Sequence, residues 1–349
     1  MKINIIAPST SVAMGGGIRV IFQHANYLAN KGHDVVVYVP MLFTIGNKFI
    51  LKTSLANTFK RGTKIKWMDY QFKVKLAFQI KERYVRNADI IIATAWYTAP
   101  LVNALSKDKG KKVYFIQDYE TWNQDEKTVD ATYQMNMHRI VITQSLHNLL
   151  LKKFGVNSEI VYNGHNKDEY IKGNKYVNNP KTVMMLWNSA YYKGSNESID
   201  ILRRVHEKFG IRVILFSLEQ KPDIPDHFEF YYRPMRKKLI ELYQQADIYL
   251  FPSNQESWGL PVIEAMANKC AVVGMNTGCL QDACQDGQQA YIAQCGNYPE
   301  LEEKLIYIIK NDTQMQKIQL NGFNFSLQFS WEKQCNAFEN CLMNFLKFN

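Results

Sequence analysis

The run Pro252-Ser253-Asn254-Gln255-Glu256-Ser257-Trp258-Gly259-Leu260-Pro261-Val262-Ile263-Glu264-Ala265-Met266-Ala267 constrains this chain more than any other. The apolar stretch before it, Asp247–Phe251, reads as a buried strand of a parallel sheet. Pro252 and Ser253 end that strand, and Pro261 suits the first turn of a helix, where a missing N–H costs nothing. The pattern therefore predicts Glu256 on the loop at the strand's carboxyl end and Glu264 about one turn into the helix. Open α/β sheets bind ligands at that edge. Two carboxylates there accept from hydroxyls, and Gly259 lets backbone N–H groups approach an anion. A nucleotide-sugar meets both requirements.

Strands and helices alternate along the rest of the chain, which implies parallel sheets. In the first half, Ile3–Ala7 reads as a strand, followed by the glycines Gly15, Gly16 and Gly17. A helix from about Ile18 to Asn30, closed by Gly32, precedes a second strand at Asp34–Val39. Further apolar runs fall at Ile90–Ala93, Val113–Ile116 and Arg139–Thr143. In the second half, strands at Val183–Trp187, Arg212–Phe216, Asp247–Phe251 and Ala271–Gly274 alternate with helices at Glu197–Phe209 and Lys237–Gln245. A polar stretch with two glycines, Asn163 to Asn179, suits a hinge. At 349 residues there is room for two domains, expected over 1–166 and 167–330, with a last helix over 331–349. The glycine loop raises a dinucleotide-binding dehydrogenase. It reads G-G-G-I-R rather than G-x-G-x-x-G, however, and the second strand ends in Tyr38-Val39-Pro40 with no acid for a ribose.

Composition narrows the class further. With 46% hydrophobic and 21% charged residues the chain is globular. No stretch approaches the roughly 18–20 uncharged apolar residues of a membrane span, and Lys2–Pro8 lacks the apolar core of a secretory signal. Six cysteines without a C-x-x-C pair read as reduced thiols of a cytoplasmic protein. The net charge of +10 is uneven: residues 1–170 hold 23 Lys and Arg against 13 Asp and Glu, whereas the remainder holds 19 of each. The excess lies between Lys48 and Arg86, interleaved with apolar and aromatic residues. Residues 48–86 are accordingly expected either to attach the protein peripherally to an anionic membrane, on the inner face of the plasma membrane, or to be a solvated helical face. Nucleic acid is not expected as a partner, since no recognisable binding motif appears.

The Glu256–Glu264 block resembles the E-x7-E motif of retaining glycosyltransferases of the GT-B type, the large group that includes bacterial mannosyl- and rhamnosyltransferases. The resemblance covers nearly the whole chain and is strongest from Ala246 to Ala293. It implies an α/β GT-B fold: two Rossmann-like domains facing across a cleft, the C-terminal helix returning to the first. Similar enzymes carry G-R-L-x-x-x-K-G after the first strand of the second domain; here the string is Trp187-Asn188-Ser189-Ala190-Tyr191-Tyr192-Lys193-Gly194. Lys193 keeps the lysine for the donor's diphosphate, and Asn188 replaces the arginine. Arg19, Arg233 and Arg236 are the cations that could take its place.

A second departure sharpens the resemblance. Many relatives place a histidine at the end of a first-domain strand, where this chain has Gln117-Asp118-Tyr119-Glu120, with Ala131-Thr132-Tyr133 after it. That string looks like rhamnosyltransferases of the rhamnan-synthesis type, which use dTDP-L-rhamnose. Asp118 then orients the acceptor or contacts the donor sugar, with Glu120 as the weaker choice, or it simply caps a helix. The resemblance assigns sugar hydroxyls to Glu256, nucleoside hydroxyls to Glu264 and diphosphate to Lys193. Gly16, Gly17, Asn188, Ser257, Gly259 and Leu260 are expected to line the donor, Tyr232 and Arg233 the nucleobase, and Trp258 the 6-deoxy carbon. The acceptor is a glycan or lipid-linked glycan of the cell surface. No D-x-D motif is present, so neither a metal nor another cofactor is implied. A UDP- or GDP-hexose donor is the alternative within the class; a non-catalytic nucleotide-sugar-binding or scaffold protein is the alternative outside it.

Overall fold

The structure is a computed structural model that describes residues 1–8, 16–45, 48–51, 65, 68–121, 125–173 and 175–348. Gly15, and the part of the basic stretch from Lys52 to Lys64 with Lys66 and Trp67, lie outside the described residues. The chain forms two compact units. One comprises Met1–Asn163 with Trp331–Asn349, the other Gly164–Ser330.

The first unit is built on seven parallel strands: β1 (Lys2–Ile6), β2 (Asp34–Pro40), β5 (Lys73–Ala77), β6 (Ile90–Ala93), β7 (Lys111–Ile116), β8 (His138–Val141) and β9 (Glu159–Ile160). A short antiparallel hairpin, β3 (Leu42–Ile45) with β4 (Lys48–Leu51), stands apart from that sheet. The sheet order is β5-β2-β1-β6-β7-β8-β9, so the winding reverses between β1 and β6. Strand β5 was not anticipated from the sequence. Its Lys73 and Lys75 alternate with Val74 and Leu76 at the sheet margin, where lysines discourage pairing with another chain. Arg86, also in the basic stretch, turns inward: its guanidinium pairs with Asp34, donates to the Asp34 carbonyl at 2.6 Å and reaches Asn4 Oδ1 at 3.2 Å. That arginine ties strands together and is not available to a membrane.

The C-terminal helix, Trp331–Phe348, completes the first unit, as the fold expectation required. Phe338 stacks on His24 at 4.3 Å and meets Phe115 edge-on at 5.1 Å. Phe345 stacks on His138 at 4.4 Å, His33 Nε2 lies 2.7 Å from Glu339, and Lys111 Nζ donates to the Leu346 carbonyl at 3.1 Å. Nothing in the sequence marked His24 as core; it is buried on the apolar face of the Gly16–Asn30 helix, between Ile21 and Ala25.

The second unit has six parallel strands: β10 (Thr182–Leu186), β11 (Arg212–Ser217), β12 (Glu229–Tyr232), β13 (Ile248–Phe251), β14 (Ala271–Met275) and β15 (Tyr291–Ala293). Their order, β12-β11-β10-β13-β14-β15, is that of a dinucleotide-fold sheet, with the reversal between β10 and β13. All four residues of β13 are buried, which explains its unbroken apolar run. Helix Ser195–Phe209 buries Ile199, Leu202 and Val205, one residue per turn, against this sheet. At the amino end of β13 the fully buried Asp247 accepts from the backbone N–H groups of Thr182 (2.8 Å) and Asn178 (3.0 Å). That acid fastens the sheet at the end opposite the Glu256 loop.

Burial drives the pKa of His24 down to about 3. The folded state then binds fewer protons than the unfolded chain between that value and the ordinary histidine pKa, so the contribution is complete above about pH 6.5 and is lost as pH falls. His24→Leu should flatten the acid limb of the stability profile by up to about 1.4 kcal/mol per pH unit. Denaturant unfolding measured from pH 7 to pH 4 checks this; an unchanged slope would remove His24 from the account.

Candidate functional site

The reversal between β10 and β13 brings two loops together at the carboxyl edge of the second sheet. After β10 the chain runs through Trp187–Ala190 into a short turn, Tyr191–Lys193. After β13 it runs from Pro252 to Gly259, where φ is +83°, and into helix Leu260–Ala267. Glu256 sits on the second loop and Glu264 is the fifth residue of the helix, as the strand–loop–helix pattern predicted. The loops touch closely. Asn254 N–H donates to the Tyr192 carbonyl at 2.7 Å. Gly194, at φ +62°, packs so tightly that a Cβ would collide with the Pro252 carbonyl oxygen and lie 2.6 Å from the Tyr298 hydroxyl.

This contact delivers Lys193 to Glu256. Lys193 Nζ lies 2.5 Å from Glu256 Oε2, with the side chains 23% and 28% exposed, so the pair faces water and is open to a ligand. Two residues hold Glu256 that the sequence did not single out. Thr277 Oγ1 accepts the Glu256 N–H at 3.2 Å. Asn254 donates to the Tyr298 hydroxyl at 2.9 Å and accepts from Gly296 N–H at 2.7 Å, which joins the loops after β13 and β15. Their partners lie 21 to 44 positions away, and no local pattern announces them.

Glu264 has a different cation. It is only 5% exposed, and Arg236 Nη2 lies 2.8 Å from its Oε1. Arg236 also binds Glu169, with Nε donating at 2.9 Å. Each glutamate of the motif thus has its own positive partner, and Arg236 is shared between Glu264 and Glu169.

Asn188, in that arginine's place, shapes its own loop. Its Oδ1 accepts from Ala190 N–H at 3.0 Å and its N–H donates to Ser195 Oγ at 3.1 Å, an Asx-type turn. On the loop after β13, Ser257 is half-buried and Gly259 buried, and Leu260, which opens the helix, is half-buried. Trp258 departs from its expected role. Its side chain is 2% exposed and meets Phe329 edge-on at 5.0 Å, because the indole is the apolar anchor of the loop. Only its backbone faces the neighbouring segment, through the carbonyl that accepts Cys279 N–H at 2.7 Å. A 6-deoxy carbon would have to find another apolar neighbour.

Tyr232 is 49% exposed at the end of β12, with the Arg233 guanidinium 5.0 Å over its ring. Arg233 takes φ +46°, unusual for a side-chain-bearing residue, and is fixed there by its N–H to the Ser217 carbonyl (2.7 Å) and Nε to the Leu218 carbonyl (2.9 Å). These two residues lie two strands from Lys193 in the sheet order.

The first unit groups its own candidates at the carboxyl edges of β1, β6 and β7. Gly16 and Gly17 open the first helix and are exposed, and Gln117 Nε2 donates to the Gly17 carbonyl at 3.2 Å. Asp118 accepts from Tyr119 N–H at 2.8 Å, and its carbonyl accepts the Tyr133 hydroxyl at 3.2 Å. Helix Glu126–Tyr133 is capped by Asp125, so Asp118 does not serve as its cap. Glu120 reaches across to the β6 loop, accepting Trp96 N–H at 2.6 Å. Burial lifts its pKa to about 7; the Trp96 N–H opposes the shift and Asp118 adds to it. The charge of Glu120 therefore changes near neutrality.

Comparison with known proteins follows the same division. Residues 166–325 match the model of the family Glycosyl transferases group 1. An uncharacterized glycosyltransferase of Methanocaldococcus jannaschii is 26% identical over 236 residues, 65% of this chain and 61% of that protein. The N,N'-diacetylbacillosaminyl-diphospho-undecaprenol alpha-1,3-N-acetylgalactosaminyltransferase of Campylobacter jejuni is 22% identical over 333 residues, 88% of this chain and 85% of that protein. Among solved structures, Anabaena Alr3699/HepE in complex with UDP superposes with a TM-score of 0.75 at 15% identity, covering 99% of this chain and 100% of that one. The fold is the expected α/β GT-B fold. The family match and these neighbours support a GT-B glycosyltransferase family.

The Gly194 contact has a direct test, with Gly210 as control. Gly210 has nearly the same φ, +64°, and open space around it. Gly210→Ala should lose only the left-handed penalty of about 1–2 kcal/mol. Gly194→Ala should lose clearly more, because the loops must separate. Equal losses in denaturant unfolding would show that the close approach is not needed.

Proposed function

We propose that this protein transfers a sugar from a nucleotide donor to a glycan or lipid-linked acceptor of the cell surface, with retention of anomeric configuration and without a divalent metal. L-Rhamnose from dTDP-L-rhamnose is the favoured donor. The observation that carries the reading is the Lys193–Glu256 pair at the sheet's reversal, with the buried Glu264 a turn further on. An incoming diphosphate takes Lys193 from Glu256, and the released carboxylate accepts from sugar hydroxyls. Lys193 then stabilises the charge that grows on the leaving phosphate, together with backbone N–H groups. The departing phosphate oxygen takes the acceptor's proton on the same face of the sugar. Glu264 accepts from the nucleoside, which in a dTDP donor offers a single ring hydroxyl. Asp118 and Glu120 remain the acceptor-side groups of this reading.

A UDP-sugar donor is the second reading, favoured by the UDP bound in Alr3699/HepE. The string Gln117–Glu120 with Ala131–Tyr133 is what favours rhamnose over it. Among the described residues, no helix is long and apolar enough to cross a membrane. Attachment to an anionic membrane surface through residues 48–86 belongs to the proposal without Arg86. Binding to anionic vesicles that weakens with salt supports it, and binding indifferent to both lipid charge and salt removes it.

Product formation from dTDP-L-rhamnose, UDP-hexoses and GDP-hexoses is the experiment that tests the function. Glu256→Gln should lower turnover at least ~10²-fold, the scale of losing one group from an electrostatic site. Near-normal turnover would sink the role of Glu256. A wild-type protein that binds donors and forms no product would favour the non-catalytic alternative.

A further inference from the structure

Arg236 is the first residue of helix Arg236–Gln245, the end at which a helix dipole disfavours a cation, and the first turn holds no acid. Two carboxylates from elsewhere in the unit hold it there. Nε donates to Glu169 Oε1 at 2.9 Å, while Nη2 reaches the other Glu169 oxygen and, at 2.8 Å, Glu264 Oε1. The guanidinium is 31% exposed and the Glu264 side chain 6%. Burial pulls the arginine pKa down, and Glu264 and Glu169 outweigh it, so the guanidinium stays charged. A carboxylate this far from water stays ionised only beside a cation. The other titratable groups facing Glu264 include Tyr243 and Tyr249, held neutral by burial, and His165, which burial lowers below its ordinary value. Beyond the tyrosines, Lys175 is engaged with the Tyr243 and Asn268 carbonyls and with Cys270.

We propose that Arg236 is a positioning residue of the donor site: it keeps Glu264 ionised and fixes the direction of its carboxylate toward the hydroxyls of a nucleoside diphosphate. The proposal rests on the donor reading of Glu264. It moves Arg236 from the diphosphate end of the donor, where the sequence allowed it, to the nucleoside end. Glu169, on the turn Lys167–Glu169, becomes the anchor that stops the arginine from following the ligand.

Calorimetric titration of UDP and dTDP into wild type, Arg236→Met and Arg236→Lys, between pH 6 and 8, tests it. The wild type should show the pH dependence that the nucleotide's own terminal phosphate brings, and it is the reference for the variants. Arg236→Met should bind at least ~10-fold more weakly at pH 7, the scale of a hydrogen bond to a charged group, and weaker still toward pH 6 as Glu264 takes up a proton. Arg236→Lys should recover most of the affinity. A folded Arg236→Met protein with wild-type affinity and the wild-type pH profile overturns the proposal. A ligand-free comparison separates the pairing from the donor reading. If Arg236 neutralises Glu264, adding Glu264→Gln to Arg236→Met raises stability; equal or lower stability refutes the pairing. Wild type that binds neither nucleotide sinks the donor reading and the assignment to nucleoside hydroxyls, and the stability comparison still decides whether Arg236 holds Glu264.

Discussion

Where β10 and β13 diverge, the chain after one strand presses against the chain after the other, and glycine at 194 is what lets them meet. A parallel sheet wound in two directions leaves a gap at its reversal, because the connections on either side leave toward opposite faces. Here the gap is bridged by backbone, through Asn254 N–H and the Tyr192 carbonyl. That bridge places Lys193 next to Glu256 without either side chain having to be buried.

The two glutamates of one motif therefore do different electrostatic work. Glu256 lies in a partly wet place with a mobile kind of partner, a lysine on a long stem, so a competing anion can separate the pair. Glu264 lies in a nearly dry place with a planar guanidinium clamped by a second acid. One is arranged for exchange and the other for constancy.

Much of this was legible in the sequence. The run Ile248–Phe251, the Pro252-Ser253 stop and Pro261 each act locally, so strand, loop and helix could be placed and both glutamates with them. The helix expected over Glu197–Phe209 is found over Ser195–Phe209. Strand β5 was hidden because its lysines look like a charged surface until a neighbouring strand makes one face of them a margin. Trp258, expected beside a ligand, is buried against Phe329, because an aromatic residue on such a loop can equally anchor it. The pairing of Arg236 with Glu169, 67 positions away, follows from tertiary packing alone. So does the support of Glu256 by Thr277.

We propose that the carboxyl edge of the second unit holds a nucleoside diphosphate. Thermal unfolding of the purified protein with dTDP, UDP, GDP and, as control, NAD addresses it most directly. A ligand at 100 times its dissociation constant adds about 2.7 kcal/mol to stability, enough to read as a clear shift. Such a site should raise the melting temperature with dTDP and not with NAD; a rise with UDP or GDP instead would keep the site and change the sugar. No shift with any of the three nucleoside diphosphates, or a shift with NAD alone, would contradict it.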